Sequence, residues 1–547
     1  MNKKSFLVLI LFSILLTISC TKDFDEINNN PAAFTKASDG SLFNDVIGSL
    51  KPGWNEQFYI NNEILYKQTQ MAALFKEAWG NSTIGTEEIW KDYYTNLPNI
   101  RELQRRFALA TPSAALNNMN AMVKIVLAYK TFKVTDFFGD IPFSDAGYGF
   151  LDVSKLRPKF DNQRSIYLFL LDELKWADEN IDIAATAEPY ASFKSFDKLF
   201  FGDLSKWRKF ANSLRLRYAM RMSEKEPIIA GQIVSDIINN DKPVLLGCNF
   251  SNTVLEVAAI YPNLCGYKNE SKIWSFREHK NLRMGSTMWH QLSLHDSADG
   301  SGIFDARAYL FFDTNGDNKW APYPQLPGGS TPAEGGFPYD KQRDKTGTYN
   351  VKGSPVNPCL NSPFNYFLIS DENYIPDILM TGAEVHFLKA EAFMKGIGVT
   401  QNEGNASNEY LSGIQASLAF WRNTLSNSNL LDGTNFDTLV KIPSNLTLFA
   451  LQNVVGFWNA VPQTDEAKLK LIYTQQWIDF FRQPSEAFAL VRREYGKLPR
   501  EVNGSQGALQ YYRFVIPPSE IAYNQFNWAS AYSSQGDLVT TKMWWMK

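Results

Sequence analysis

Histidine and cysteine are scarce in this chain of 547 residues, with four of each. His290 and His295 stand five apart, which on a helix puts them on different faces and disfavours a two-histidine metal site. A serine or cysteine hydrolase needs a base beside its nucleophile, and none of the scattered imidazoles nominates such a pair. The G-x-S-x-G elbow, the Walker loop and a G-x-G-x-x-G after a strand pattern are also missing. The chain therefore reads as a binding protein and not as an enzyme. The alternative is a surface glycoside hydrolase, whose chemistry asks only for a carboxylate pair, and 57 acidic residues leave that open.

No charge of one sign prevails, since 54 basic residues face 57 acidic ones without any basic block. Nucleic acid is not an expected partner. After the N-terminus no stretch approaches 18 continuous apolar residues, so no membrane-crossing helix is expected. Cysteine decides little. Beside Cys20 there are Cys248, Cys265 and Cys359, and the first two flank a short apolar stretch. They suit either a disulfide in an oxidising compartment or buried thiols.

What is present begins with an export signal. Lys3 and Lys4 precede an apolar run from Phe6 to Ile18, too short to span hydrocarbon but suited to a cleaved signal peptide over residues 1–19. The string LTISC resembles a bacterial lipobox with Cys20 as the lipidated residue, although Leu16 falls one position earlier than usual. Residues 20–38 are polar and punctuated by Pro31, as a solvated tether would be. Asp23, Asp25 and Glu26 resemble the export tag of surface-displayed lipoproteins, which predicts an outer-membrane protein facing the exterior. With 44% hydrophobic and 14% aromatic residues, the rest can build a large core and still spare rings for binding.

Helical periodicity dominates residues 39–547, expected as a single α-rich domain. Leu204, Trp207, Ala211, Leu214 and Tyr218 step by three and four, placing one apolar stripe on a helix. Further helices are expected over 117–134, 163–180, 381–395, 411–425 and 467–481, with Gly396 as a C-terminal stop. Small residues in FLKAEAFMKG suit close tetratricopeptide-like helix pairs. The segment from Asp296 to Pro363 is rich in Gly, Pro, Asp and Asn and reads as one long functional loop. Within it Asp313, Asn315 and Asp317 imitate the start of a calcium loop, the only ion the chain suggests. The sixth position is Asn318 in place of Gly and the twelfth is Pro324 in place of Glu, so a plain turn is the stronger reading.

Five separated strings then point one way: TDFFGDIPFSDA from Thr135, FGDLSKWRKFANSLRLRYAMRMS from Phe201, AEVHFLKAEAFMKG from Ala383, YTQQWIDFFRQPSEAFALVRREYGKLP from Tyr473, and RFVIPPSEIAYNQFNW with a closing KMWW. In order and content they resemble the SusD/RagB family of nutrient-binding outer-membrane lipoproteins. That resemblance implies a mostly α fold, with a tetratricopeptide-like helix-pair scaffold and a loop-rich ligand-binding portion. It implies an oligosaccharide or peptide ligand, passed to a SusC-like TonB-dependent β-barrel transporter, with the membrane touched only through the lipid anchor. No cofactor is implied.

Arg215, Arg217 and Arg221 are expected as scaffold ion pairs more than as a ligand-facing stripe, because guanidinium forks bridge carboxylates between packed helices. Trp477, Trp544 and Trp545, inside the family strings, are expected in the core. Sugar rings and extended peptides both present flat apolar faces, so an exposed aromatic shelf with hydrogen-bonding neighbours serves either. Trp79, Trp274, Arg277, Trp320, Tyr323, Phe337 and Tyr339, all outside those strings, are the predicted ligand contacts. Trp90 and Trp289 fall within expected helices and are set aside.

Overall fold

A computed structural model describes residues 37–75, 82–247, 256–266, 268, 281–328, 331, 360–370, 373–431, 433–443, 457–534 and 536–547. Eleven α-helices of eight or more residues occur among them, beside a ten-residue π-helix at Glu56–Leu65: α1 (Asp39–Gly48), α2 (Ser82–Leu109), α3 (Ala114–Phe138), α4 (Gln163–Asn180), α5 (Leu204–Met222), α6 (Pro227–Asn239), α7 (Gly382–Lys395), α8 (Glu403–Ser426), α9 (Asp465–Asp479), α10 (Pro484–Arg493) and α11 (Gln525–Tyr532). The described strands are short and join into three antiparallel pairs. These are β1 (Ala73–Leu74) with β5 (Leu282–Arg283), β2 (Ile141–Pro142) with β3 (Phe160–Asp161), and β4 (Val257–Ile260) with β6 (Asp377–Thr381). The fold is mostly α, as expected.

Local chemistry sets the boundaries. Asn162, Asp203, Thr381 and Asn402 each accept a backbone N–H in the first turn of α4, α5, α7 and α8, satisfying donors the helix cannot. Gly139 and Gly396 close α3 and α7 at φ 83° and 66°, a conformation that glycine adopts without strain. Consecutive helices pack as pairs, α2 on α3, α3 on α4, α5 on α6 and α7 on α8, in the tetratricopeptide-like manner. In the α7–α8 pair a Cβ on Gly413 would meet the Phe387 ring at 2.6 Å, so the missing side chain permits the contact.

Two hydrophobic clusters fill the interior. One gathers α1 to α6 with Phe488, Phe514, Trp545 and Met546 from the far end of the chain. The other gathers α7 to α10 with the segments around Trp289, Phe311 and Phe364. Between them lies a buried ionic lattice. Arg217 Nε and Nη2 donate to the two Glu384 oxygens at 2.6 and 2.5 Å. Arg221 pairs with Asp136 and, at 2.5 Å, with Glu486. Arg493 reaches Glu391 at 2.7 Å. Arg217 and Arg221 are thus scaffold ties, and Arg215 likewise pairs with Asp236 at 2.7 Å.

Asp136 explains why TDFFGDIP recurs beside the closing tryptophans. Its carboxylate accepts from the Tyr167 hydroxyl, from Arg221 and, at 2.9 Å, from Trp545 Nε1. Gln163 completes the joint, donating to Thr135 O and accepting from Trp544 N at 3.0 Å. Trp477 and Trp545 are fully buried and Trp544 is half-buried.

Three expectations need correction. α8 begins at Glu403 and not near 411, because its first two turns are polar and start from the Asn402 cap. The long α2 runs from Ser82 through Pro98 to Leu109, where the sequence marks a helix only around Trp90. The segment 296–363 is not all loop. It holds a helical turn at Arg307–Phe311 and bridges Phe312 to Phe364, while residues 332–359 lie outside the described part.

Candidate ligand site

The loop-rich half is held by backbone pairing. Tyr323 N donates to Met284 O at 2.8 Å and Ser286 N to Tyr323 O at 3.0 Å, which fastens the 320s beside β5. Trp320 N donates to Ala298 O at 2.8 Å. These bonds fold both predicted aromatics inward, and each is only 5% exposed. Trp320 stacks on Trp289 with centroids 5.7 Å apart and meets Tyr309 edge-on at 5.1 Å. Its indole also closes over Gly300, where a Cβ would come within 2.7 Å of Nε1. Tyr323 packs towards Phe75 at 6.5 Å. The expected exposed shelf is therefore not formed by Trp320 and Tyr323. Both rings are internal supports, and Trp289, set aside from the sequence, is the partner of one of them.

Trp320 nevertheless walls a small cavity of about 150 Å³ with Asp299, Tyr309, Asp313, Asn318 and Lys441. Ser301 donates twice to Asp299, and these bonds hold its carboxyl below the usual range. Burial, reinforced by Asp299, pushes the Tyr309 hydroxyl up. The cavity is smaller than the roughly 300–1,000 Å³ typical of ligand clefts.

The Asp313 loop is a turn built from its own amides. Asn315 Oδ1 accepts from Asp317 N and Lys319 N at 3.0 and 2.9 Å, and its Nδ2 donates to Leu360 O. Asp313 is buried and accepts from Tyr366 N at 2.9 Å. Asn315 Oδ1 and the Asp313 carboxylate both accept from backbone amides, and among the described residues no group of three His, Cys, Asp or Glu side chains is placed to hold a metal ion. Trp79, Trp274, Arg277, Phe337, Tyr339, Cys20 and Cys248 lie outside the described residues. Cys265 is described and donates its thiol to Lys198 O at 3.4 Å.

The larger concavity was not anticipated. A cleft of about 620 Å³ opens beside α2, between Trp90, Tyr94 and Pro98 on one wall and Phe150, Leu156 and Tyr523 on the other. Tyr94 OH donates to Pro142 O at 2.8 Å, which holds that wall against β2. Pro98 has no N–H for the Tyr94 carbonyl one turn back, so the helix presents an acceptor there. Asn524 Nδ2 donates to Pro158 O and Asn527 Nδ2 to Arg157 O, tying the 148–158 loop to the C-terminal helices. Glu520 sits in the cleft with its carboxyl raised by burial, against hydrogen bonds from Asn524 and Trp90. The available signals were Pro98 within a helical pattern and the apolar pair Phe150-Leu151 in a loop, and neither is a motif.

Glu384 and Arg492, in the ionic lattice, are shifted by burial as well. Burial pushes the Glu384 carboxyl up against the pull of Arg217, and burial without a carboxylate partner brings Arg492 down to about 9.

Comparison with known proteins follows from this geometry. A family profile described as starch-binding and associating with the outer membrane, SusD-like, matches residues 31–517. No curated protein sequence matches. Among solved structures, a chitin-binding protein superposes with TM-score 0.66 at 20% identity, covering 93% of this chain and 100% of its own. A chitin-binding SusD homologue from Flavobacterium johnsoniae gives 0.62 at 21% identity, with 93% and 98% covered. A SusD-like protein from Bacteroides thetaiotaomicron gives 0.62 at 18%, with 93% and 99% covered.

Proposed function

The chain belongs to the SusD-like family, and from that premise we propose that it captures glycans at the cell surface and passes them to a SusC-like TonB-dependent barrel. The observation that carries this reading is the family match over residues 31–517, in a group described as starch-binding and associating with the outer membrane. Two structural neighbours carry the description chitin-binding, which makes oligosaccharides of N-acetylglucosamine the first ligand class to try. A lipid on Cys20 would hold the chain at the outer leaflet, with residues 21–38 as its tether.

Ligand contact is assigned to the loop aromatics Trp79, Trp274, Phe337 and Tyr339 with Arg277. Trp320 and Tyr323 act as buried supports, since both rings are almost wholly enclosed. A captor must release as well as bind, so affinity is set at about 10⁻⁶ to 10⁻³ M.

Calorimetry with chitin oligosaccharides, malto-oligosaccharides and a peptide panel tests the reading. Wild-type protein binds one glycan class, and Trp79→Ala and Trp274→Ala each lose at least about tenfold, roughly 1.4 kcal/mol, while staying folded. Binding of peptides alone would move the chain to the peptide-capturing branch. Release of free sugar from the oligosaccharides would instead establish the hydrolase.

A further inference from the structure

We infer that a collar of exposed apolar side chains around the α2 cleft is the face that seats against an outer-membrane β-barrel protein, an inference that rests on the transporter reading above. The collar consists of Phe150, Leu151, Val153, Leu156, Tyr523 and Phe526, which are 50, 56, 79, 49, 53 and 85% exposed. Phe150, Leu156 and Tyr523 line the cleft itself. The Asn527–Arg157 hydrogen bond of 2.9 Å brings the Phe526 segment to the 148–158 loop. Single exposed apolar residues are ordinary, but a contiguous set around a groove marks a binding surface.

The chemistry of the collar selects its occupant. Five of its six side chains have no hydrogen-bonding atom, whereas a sugar site needs polar groups placed to meet hydroxyls. Aromatic and aliphatic groups in this density suit the core of a protein interface, where projecting rings fill pockets on a partner and the groove receives one in return. A lipid surface fits less well. Docking on anionic headgroups calls for an excess of Lys and Arg, while the cleft rim alternates Glu87 and Glu520 with Lys91 and Lys155.

The chain's path places this face near the membrane. Arg106, at the end of α2, donates to Ala37 O at 2.7 Å, so the chain enters the fold on the helix that walls the cleft. Tyr94 lies twelve residues up that helix, about 18 Å along its axis at 1.5 Å per residue. Residues 21–36, even fully extended, reach no more than about 55 Å. With Cys20 in the outer leaflet, the tether leaves the collar within reach of a neighbouring outer-membrane barrel.

A photoreactive phenylalanine at position 526 or 151 of the full lipidated chain, irradiated in living cells, tests the face. Position 228, where Ile228 is 76% exposed on α6, is the control. The expected adduct at 526 and 151 is a β-barrel outer-membrane protein, with none at 228. Adducts to lipid, to a second copy of this chain, or equally at all three positions would overturn the inference. In parallel, the double variant Phe526→Asp, Leu151→Asp recovers at least tenfold less barrel after gentle detergent extraction, with circular dichroism and glycan binding unchanged. Equal recovery of barrel with variant and wild type removes this face and leaves the transporter reading standing. Absence of any barrel from wild-type extracts and adducts removes both.

Discussion

Arg217 is buried with two carboxylates around it, at 2.5 Å from Glu384 and 3.4 Å from Glu486. Arg217→Met leaves Glu384 buried without its guanidinium partner, while Glu486 keeps Arg221, and the expected loss is about 3–5 kcal/mol. Equilibrium denaturation measures it, and glycan affinity should not change, because no lattice residue is among the proposed ligand contacts. Pairing that change with Glu384→Leu should recover part of the loss, since a buried ion pair replaced by apolar groups is often neutral. A wild-type midpoint for Arg217→Met alone would show that the lattice is energetically idle. Glu224 gives the pH dependence. Burial would raise its carboxyl, but Lys395 at 2.9 Å and Lys547 at 3.2 Å hold it down at about 2, against an ordinary 4.5. Its folded value lies below its unfolded one, so the stabilisation is present above pH 4.5 and is lost as pH falls towards 2. Thermal unfolding between pH 5 and 3 should therefore fall less steeply in Glu224→Gln than in wild type.

At the level of elements, the closest approach is at the start of α7. A Cβ on Gly382 would lie 1.8 Å from the backbone nitrogen of Gly247, and backbone cannot step aside as a flexible side chain can. Gly382→Ala should cost about 3 kcal/mol, at the upper end for overpacking. Gly48→Ala, at the end of α1 with nothing within 4 Å of the new methyl, should be neutral or stabilising by up to about 1 kcal/mol. Melting temperatures of the two variants compare them directly. These elements were unequally legible in the sequence. α4 lies at its expected bounds because Asn162 caps it and its apolar stripe runs its whole length. α8 read short because its polar first turns, from Glu403 through Asn408, carry no stripe. α2 is marked in the sequence only around Trp90 because Gly85 and Pro98 punctuate it as a loop would be punctuated, while tertiary contacts with α3 and α1 keep it helical. Trp320 shows the limit for the site. A Trp among Gly and Pro looks exposed in one dimension, and only the pairing of its backbone with Ala298 turns it inward.

For the whole molecule, attachment is the property most open to test. Cys20→Ala should move the chain from the membrane fraction to the soluble fraction with its fold intact, and mass spectrometry of the wild-type N-terminus should find acyl chains. One acyl chain binds only marginally, so more than one is expected. An unmodified mature N-terminus at another residue would end the lipoprotein reading. The five family strings were readable because they are joints: Asp136, Arg217, Glu391 and Trp545 each need one residue type to satisfy a buried partner. The side chains of Phe150, Leu151, Val153, Leu156 and Phe526 stand exposed, so internal packing imposes no fixed spelling on them.

The joint between Asp136 and Trp545 spans 409 positions of sequence. If the chain is exported from its N-terminus onward, the first cluster would stay open at Asp136 until Trp545 has emerged. Phe514, Trp545 and Met546, which complete that cluster, are among the last to be delivered. A variant lacking Trp545 would leave Asp136 without its indole donor and Arg492 without the ring it stacks on, and its resistance to proteolysis should fall.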